Sequence, residues 1–212
     1  HGRAVADEVR RTGELTHRQA NVDQARALAG VVGADFPLVA LDAYWRAARH
    51  LAAGQPACGI SWWALAGIAR VESRHGTSRG STLLPDGDTT AAIIGIPLDG
   101  TNGTASVPDT DGGAMDGDPV VDRAVGPMQF IPTTWRRWAR DGNGDGLAMP
   151  HNLYDAAVTA ARFLCAGGPL TDDAGLRAAF LRYNQSEEYV ETVLGWARGY
   201  AGLPAPPVGS TG

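Results

Sequence analysis

Lysine is absent from this 212-residue chain, and all 18 basic residues are arginine. That pattern follows from GC-rich coding and carries no functional weight. Basic charge is also in deficit: 23 acidic residues leave a formal net charge of −5 and a pI near 5.5. A nucleic-acid partner, whose phosphates select a basic face, is therefore not expected. No apolar run approaches the roughly 20 residues of a membrane-spanning helix. The chain opens at His1 without a methionine or a signal peptide, so the expectation is a soluble, trimmed chain. Cysteine is scarce, and no Cys/His spacing suggests zinc. The two cysteines, Cys58 and Cys165, read as one long-range disulfide of an exported protein, with two buried free thiols as the alternative.

At 44% hydrophobic and 19% charged residues the chain can bury one substantial core. Helical periodicity predicts a first helix over 14–30 and a second over 37–53, with Leu38, Leu41, Trp45, Ala48 and Ala52 on one face. A third starts after Ser61 and ends at Gly76, a suitable left-handed cap. Further helices are expected over 133–140, from an Asp155 N-cap to Gly167-Gly168, over 173–183, and from Ser186 to Gly202. Between Thr77 and about Val125 the composition shifts to Gly, Asp, Thr and Pro. So long an irregular insert points to a binding loop. Its aspartates could hold a cation or a hydroxyl-rich ligand, although a solvated loop accounts for most of them. The last residues, 203–212, have the composition of a linker. The class is mainly α, with one elaborate loop.

Glu72 is the most informative residue. Ile68 and Leu65 lie at i−4 and i−7, so the carboxyl continues an inward-facing apolar stripe. Desolvation favours the protonated acid, the form a general acid needs near neutral pH. A structural carboxylate paired with Arg70 or Arg74 fits the same position.

Asp141-Gly-Asn-Gly-Asp-Gly146 fits the opening of an EF-hand loop between two helices. Its twelfth position is Asn152 instead of glutamate, and Asp155 could supply the missing ligand. A calcium-free Asx/Gly turn is the alternative. Gln129 sits between apolar residues, and Tyr183-Asn184 falls at a helix break. Singly, these read as a satisfied core amide and a cap. As a set, one acid, two amides and several aromatics describe a sugar-binding cleft, because amides bond hydroxyls and N-acetyl groups while rings cover pyranose faces.

With these residues in place the chain resembles the lytic murein transglycosylases, in particular the membrane-bound lytic transglycosylase B-like family in its actinobacterial form. The resemblance rests on Gly67-Ile-Ala-Arg-Val-Glu-Ser-Arg-His-Gly76, on Gly95-Ile-Pro-Leu-Asp-Gly-Thr-Asn-Gly103, on Asp122-Arg-Ala-Val-Gly-Pro-Met-Gln-Phe-Ile-Pro132, on Asp141–Gly146 with Asp155, and on Arg182-Tyr-Asn-Gln-Ser186 with Tyr189. It spans roughly 37–201. It implies a lysozyme-like helical domain over 37–202, preceded by an N-terminal helical segment over 1–36 and followed by a flexible tail. It implies that Glu72 is the sole catalytic acid/base, that Gln129, Phe130, Tyr183, Asn184 and Tyr189 line the glycan cleft, and that Ser73 and Met128 flank them. It further implies a structural calcium held by Asp141, Asn143, Asp145, Asp155 and the backbone of Leu147, with no cofactor for catalysis.

The implied partner is the glycan strand of peptidoglycan, cut by a monomer exported to the cell envelope. The implied reaction breaks the β-1,4 bond between N-acetylmuramic acid and N-acetylglucosamine and leaves a 1,6-anhydro end. Two rivals are a goose-type lysozyme that uses Asp118 or Asp122 as a second acid to activate water, and a non-enzymatic wall-binding module with a structural Glu72.

Overall fold

The computed structural model describes residues 36–202 of the chain. The helix expected over 14–30 and the tail 203–212 lie outside them. Phe36–Tyr200 forms one compact unit. Its six α-helices are α1 (Leu38–Gly54), α2 (Trp62–Ser73), α3 (Pro132–Trp138), α4 (Leu153–Cys165), α5 (Asp173–Tyr183) and α6 (Glu187–Ala201). Among the described residues no helix is long and apolar enough to cross a membrane.

The core forms where the apolar faces of α1, α2, α4, α5 and α6 meet. α1 packs most extensively on α4. Leu41 and Tyr44 of α1, Leu65 and Ile68 of α2, Leu153 and Leu164 of α4, Phe180 of α5 and Leu194 of α6 are all fully buried. Each fully buried Leu or Ile side chain contributes roughly 1.5–3 kcal/mol relative to exposure. Cys58, in a short 3-10 turn before α2, is disulfide-bonded to Cys165 at the end of α4, which ties positions 107 residues apart.

α2 and α6 approach closely at Gly67. A Cβ there would lie 2.9 Å from the Val193 carbonyl oxygen and 3.0 Å from Ala197 Cβ. The small residue is what lets the helix bearing Glu72 lie against the helix bearing Tyr189.

Several helix boundaries differ from the periodicity reading. α2 ends at Ser73, three residues before Gly76, because Arg74 and His75 both adopt left-handed φ angles of 52° and 60°. The Arg74 N–H bonds back to Ala69 and Arg70, and the His75 N–H bonds to Ala69, so the last carbonyls are satisfied without glycine. α4 is capped by Asn152 rather than Asp155: its side chain accepts from the N–H groups of Tyr154 and Asp155. Asp155 is thereby freed for the preceding loop. Over 77–125 the irregular insert contains a two-stranded antiparallel sheet, β1 (Ile94–Pro97) and β2 (Arg123–Val125), pairing Ile94 with Val125 and Pro97 with Arg123. The loop aspartates mostly accept main-chain N–H groups. Asp109 takes those of Asp111, Gly112 and Gly113, and Asp118 takes that of Val120.

Candidate active site

Glu72 occupies the last turn of α2, half-buried beneath α6. Its Oε1 accepts the Tyr189 hydroxyl at 2.6 Å. Burial pushes its pKa up to about 7, and the Tyr189 bond works in the opposite direction. Among the described residues its hydrogen-bond partner is Tyr189, not Arg70 or Arg74, and no second carboxylate figures among the influences on its charge. A carboxyl poised near neutrality can give up a proton and take one back.

The segment after Glu72 is anchored on both sides. Ser73 is buried; its hydroxyl donates to the Pro127 carbonyl at 2.6 Å and accepts the Gly76 N–H at 2.8 Å. Two residues further on, fully buried His75 bridges two tyrosines, with Nδ1 3.0 Å from the Tyr44 hydroxyl and Nε2 3.0 Å from the Tyr200 hydroxyl. Sequence reasoning gave His75 no role. The available signal was an aromatic-type polar residue three positions after the acid, where the helix must stop.

The turn Gly126–Phe130 packs against this segment. Gly126 has φ +78°, and a Cβ there would collide with the Pro150 carbonyl, so only glycine fits. Gln129 also adopts a left-handed φ of 50°, and its amide donates to the Gly126 carbonyl at 2.8 Å. Gln129 is half-buried. Met128 has a fully buried side chain and meets the site through its carbonyl, which accepts the Tyr183 hydroxyl at 2.6 Å.

Tyr183 is close enough to Glu72 that the carboxylate charge adds to burial in holding its phenol well above the ordinary range. The same two causes raise Tyr189. Both phenols therefore remain hydrogen-bond donors at any working pH. Phe130 is buried, its ring 5.7 Å from Tyr183 and 5.6 Å from Trp135, so it supports Tyr183 from behind. Asn184 ends α5 in extended conformation with an exposed side chain. Glu72 is thus hydrogen-bonded to Tyr189, Ser73 to Pro127 and Tyr183 to Met128, Gln129 and Phe130 lie in the same turn as Met128, and Asn184 follows Tyr183 with its side chain exposed.

Residues 120–173 match the family model described as Transglycosylase SLT domain. That segment, about a quarter of the chain, is similar to a transglycosylase domain. No curated protein sequence matches it. Solved structures similar to this chain include the Escherichia coli lytic transglycosylase Slt35 in complex with calcium, at 14% identity over 84% of this chain and 78% of that one with a TM-score of 0.49. The same enzyme in complex with bulgecin A gives 13%, 84%, 77% and 0.48. SltB3 from Pseudomonas aeruginosa in complex with NAG-anhNAM-pentapeptide gives 18%, 88%, 69% and 0.46.

Asp118 and Asp122, the acids expected to activate water in a lysozyme-type reading, are otherwise engaged. Asp122 is fully buried and accepts both the Thr110 N–H and its hydroxyl. Asp118 pairs with Arg123 at 2.9 Å and is held below the usual carboxylate range, first by the Val120 N–H and then by Arg123.

The EF-hand-like loop is folded around its own side chains. Asp141 accepts from Gly144 and Gly146, and Asp145 accepts from Leu147. Fully buried Asp155 takes the N–H groups of Gly142 and Met149 at 2.7 and 2.8 Å. Asn143 donates its amide to Asp145. Three carboxylates and an amide carbonyl are the hard oxygen donors calcium prefers. Their oxygens are not gathered to one point, however. Among the described residues, the three acids whose ligand atoms all lie within 4.8 Å of one another are Asp109, Asp111 and Asp122.

Proposed function

We propose that this chain is a lytic transglycosylase with Glu72 as its sole acid/base, and that it cleaves the β-1,4 bond between N-acetylmuramic acid and N-acetylglucosamine without consuming water. Protonated Glu72 donates to the bridging oxygen. The muramoyl 2-acetamido group stabilises the cation developing at C1. The Glu72 carboxylate then takes the proton of the muramoyl C6 hydroxyl, whose oxygen closes onto C1 and leaves a 1,6-anhydro end. Glycosidases ordinarily need two carboxyl groups, and substrate-assisted enzymes are exceptions. A hydroxyl already held in the cleft outcompetes solvent through its effective concentration.

The observation that carries this reading is a half-buried acid with a pKa of about 7 whose hydrogen-bond partner is a phenol and which no second carboxylate influences. Tyr189 holds the carboxyl in one orientation. In this reading Gln129, Tyr183, Asn184 and Tyr189 line the sugar groove, with Ser73, Met128 and Phe130 shaping it. The lysozyme-like domain spans 37–202 and acts as a monomer in the cell envelope. A calcium ion drawn in by Asp141, Asn143, Asp145, the Leu147 carbonyl and Asp155 would brace the loop ahead of α4 and take no part in the reaction.

Mass analysis of muropeptides released by the purified protein tests the proposal. Anhydromuramoyl ends from the wild type, and none from Glu72→Gln, are expected. Free reducing ends would replace the transglycosylase mechanism by hydrolysis, and undiminished cleavage by the variant would reject Glu72.

A further inference from the structure

A second cleft, of about 410 Å³, opens where α3, α4 and α5 meet, lined by Thr133, Thr134, Arg137, Trp138, Phe163 and Arg182. Six other described arginines of this acidic protein are engaged by oxygen acceptors. Arg46, Arg123, Arg177 and Arg198 pair with carboxylates, while Arg136 and Arg162 donate to carbonyl oxygens. Among the described residues Arg137 and Arg182 make neither kind of bond. They lie instead on aromatic rings. The Arg182 guanidinium carbon is 4.5 Å from the Phe163 centroid and 5.8 Å from that of Trp138, and the Arg137 carbon is 5.7 Å from Trp138. Gly167 leaves room for this placement, since a Cβ there would come within 2.9 Å of an Arg182 terminal nitrogen. A guanidinium held by its face keeps its N–H edge available for a bidentate carboxylate.

The cleft also reaches Tyr183 of the candidate site through one of its lining rings. Phe163 packs edge-on against Tyr183 at 5.8 Å, and Tyr183 senses the charge of Glu72. Two rings, Phe163 and Tyr183, link the Arg182 guanidinium to the acid.

We propose that Arg137 and Arg182 bind a carboxylate of the peptide stem carried by the muramoyl residue being cut, with Trp138 and Phe163 against the stem's hydrocarbon and Thr133 and Thr134 offering hydroxyls. The proposal rests on the peptidoglycan substrate of the preceding section. It adds a specificity element: strands with intact stems are preferred to stripped glycan.

Two measurements on the full chain test it. Titration calorimetry with an N-acetylated stem tetrapeptide should show binding to the wild type, an affinity at least about tenfold lower in Arg137→Gln and in Arg182→Gln, and weak binding of the same peptide with its carboxylates amidated. In turnover, the double variant should raise KM about tenfold on peptide-bearing strands and cut amidase-stripped glycan like the wild type. Tetrapeptide affinity unaltered by both substitutions, equal losses on the two substrates, or tighter binding of inorganic phosphate than of the peptide would overturn the proposal. The calorimetric arm needs no turnover, so a wild type that forms no anhydro ends would reject the Glu72 mechanism and leave the peptide subsite to be judged by binding.

Discussion

Tyr189 gives its hydroxyl hydrogen bond to Glu72 across 117 residues of sequence, at 2.6 Å. The bond sets a limit on how far burial can raise the acid. Without it the charged carboxylate would lose its one described donor, and the pKa would move up from about 7.

Tyr189→Phe should therefore shift the alkaline limb of the pH–rate profile to higher pH, since the protonated acid persists further. Loss of one charge-assisted hydrogen bond should also lower the maximal rate by about tenfold. The pH dependence of anhydromuropeptide release measures both. A profile lowered at every pH without displacement would mean that Tyr189 only shapes the groove.

Glu72→Gln should abolish turnover, by about a thousandfold or more, while stabilising the fold at alkaline pH. The carboxyl's folded pKa of about 7 lies above its ordinary 4.5. The unfolded chain therefore releases its proton first, and wild-type stability falls as pH rises from about 4.5 to about 7. Glutamine has no such proton. The variant should match the wild type near pH 4 and exceed it by up to about 3 kcal/mol at pH 8, measured by urea denaturation at the two pH values. An equal gap at both would show that burial is not what perturbs the acid.

Much of this arrangement could be read in the chain before the fold was known. The inward placement of Glu72 follows from Leu65 and Ile68, which are fully buried. Helices α1, α5 and α6 begin and end within a residue or two of where periodicity puts them. The rest depends on distant partners. α2 stops short of Gly76 because buried His75 is held between Tyr44 and Tyr200, from two other helices. Asn152 displaces Asp155 as a cap because Asp155 is drawn into the preceding loop. The Tyr189 bond, the small sheet and the cleft of Arg137 and Arg182 all join residues that no local pattern pairs.

The Cys58–Cys165 bond closes a long loop and joins the turn before α2 to the end of α4. Reduction, or Cys58→Ala with Cys165→Ala, should cost roughly 3–5 kcal/mol by the chain-entropy argument. Urea denaturation with and without reductant measures it. A loss under about 1 kcal/mol would show that packing of α1 on α4 already enforces the same closure.

Calcium should raise the melting temperature, because an ion that binds only the folded loop stabilises it by mass action. Asp155→Asn keeps the shape that accepts the Gly142 and Met149 N–H groups but removes a charged ligand. The calcium-dependent shift should disappear in that variant, with the calcium-free melting temperature little altered. Calcium that shifts both proteins equally would be binding elsewhere, with Asp109, Asp111 and Asp122 the next place to look.

Gly67→Ala sets two effects of known sign against each other. In a helix interior alanine is worth about 1 kcal/mol more than glycine, so an open site would be stabilised. Here the new methyl would sit 2.9 Å from the Val193 carbonyl oxygen, and that oxygen belongs to helix backbone that cannot turn aside. Overpacking of this kind costs typically 1–3 kcal/mol, so a net loss is expected. The helices forced apart are the ones that carry Glu72 and Tyr189. The catalytic rate should therefore fall more than stability alone explains, and the alkaline limb should move as in Tyr189→Phe. A higher melting temperature with an unchanged pH profile would mean that α2 and α6 have slack at Gly67, and that their separation does not set the acid.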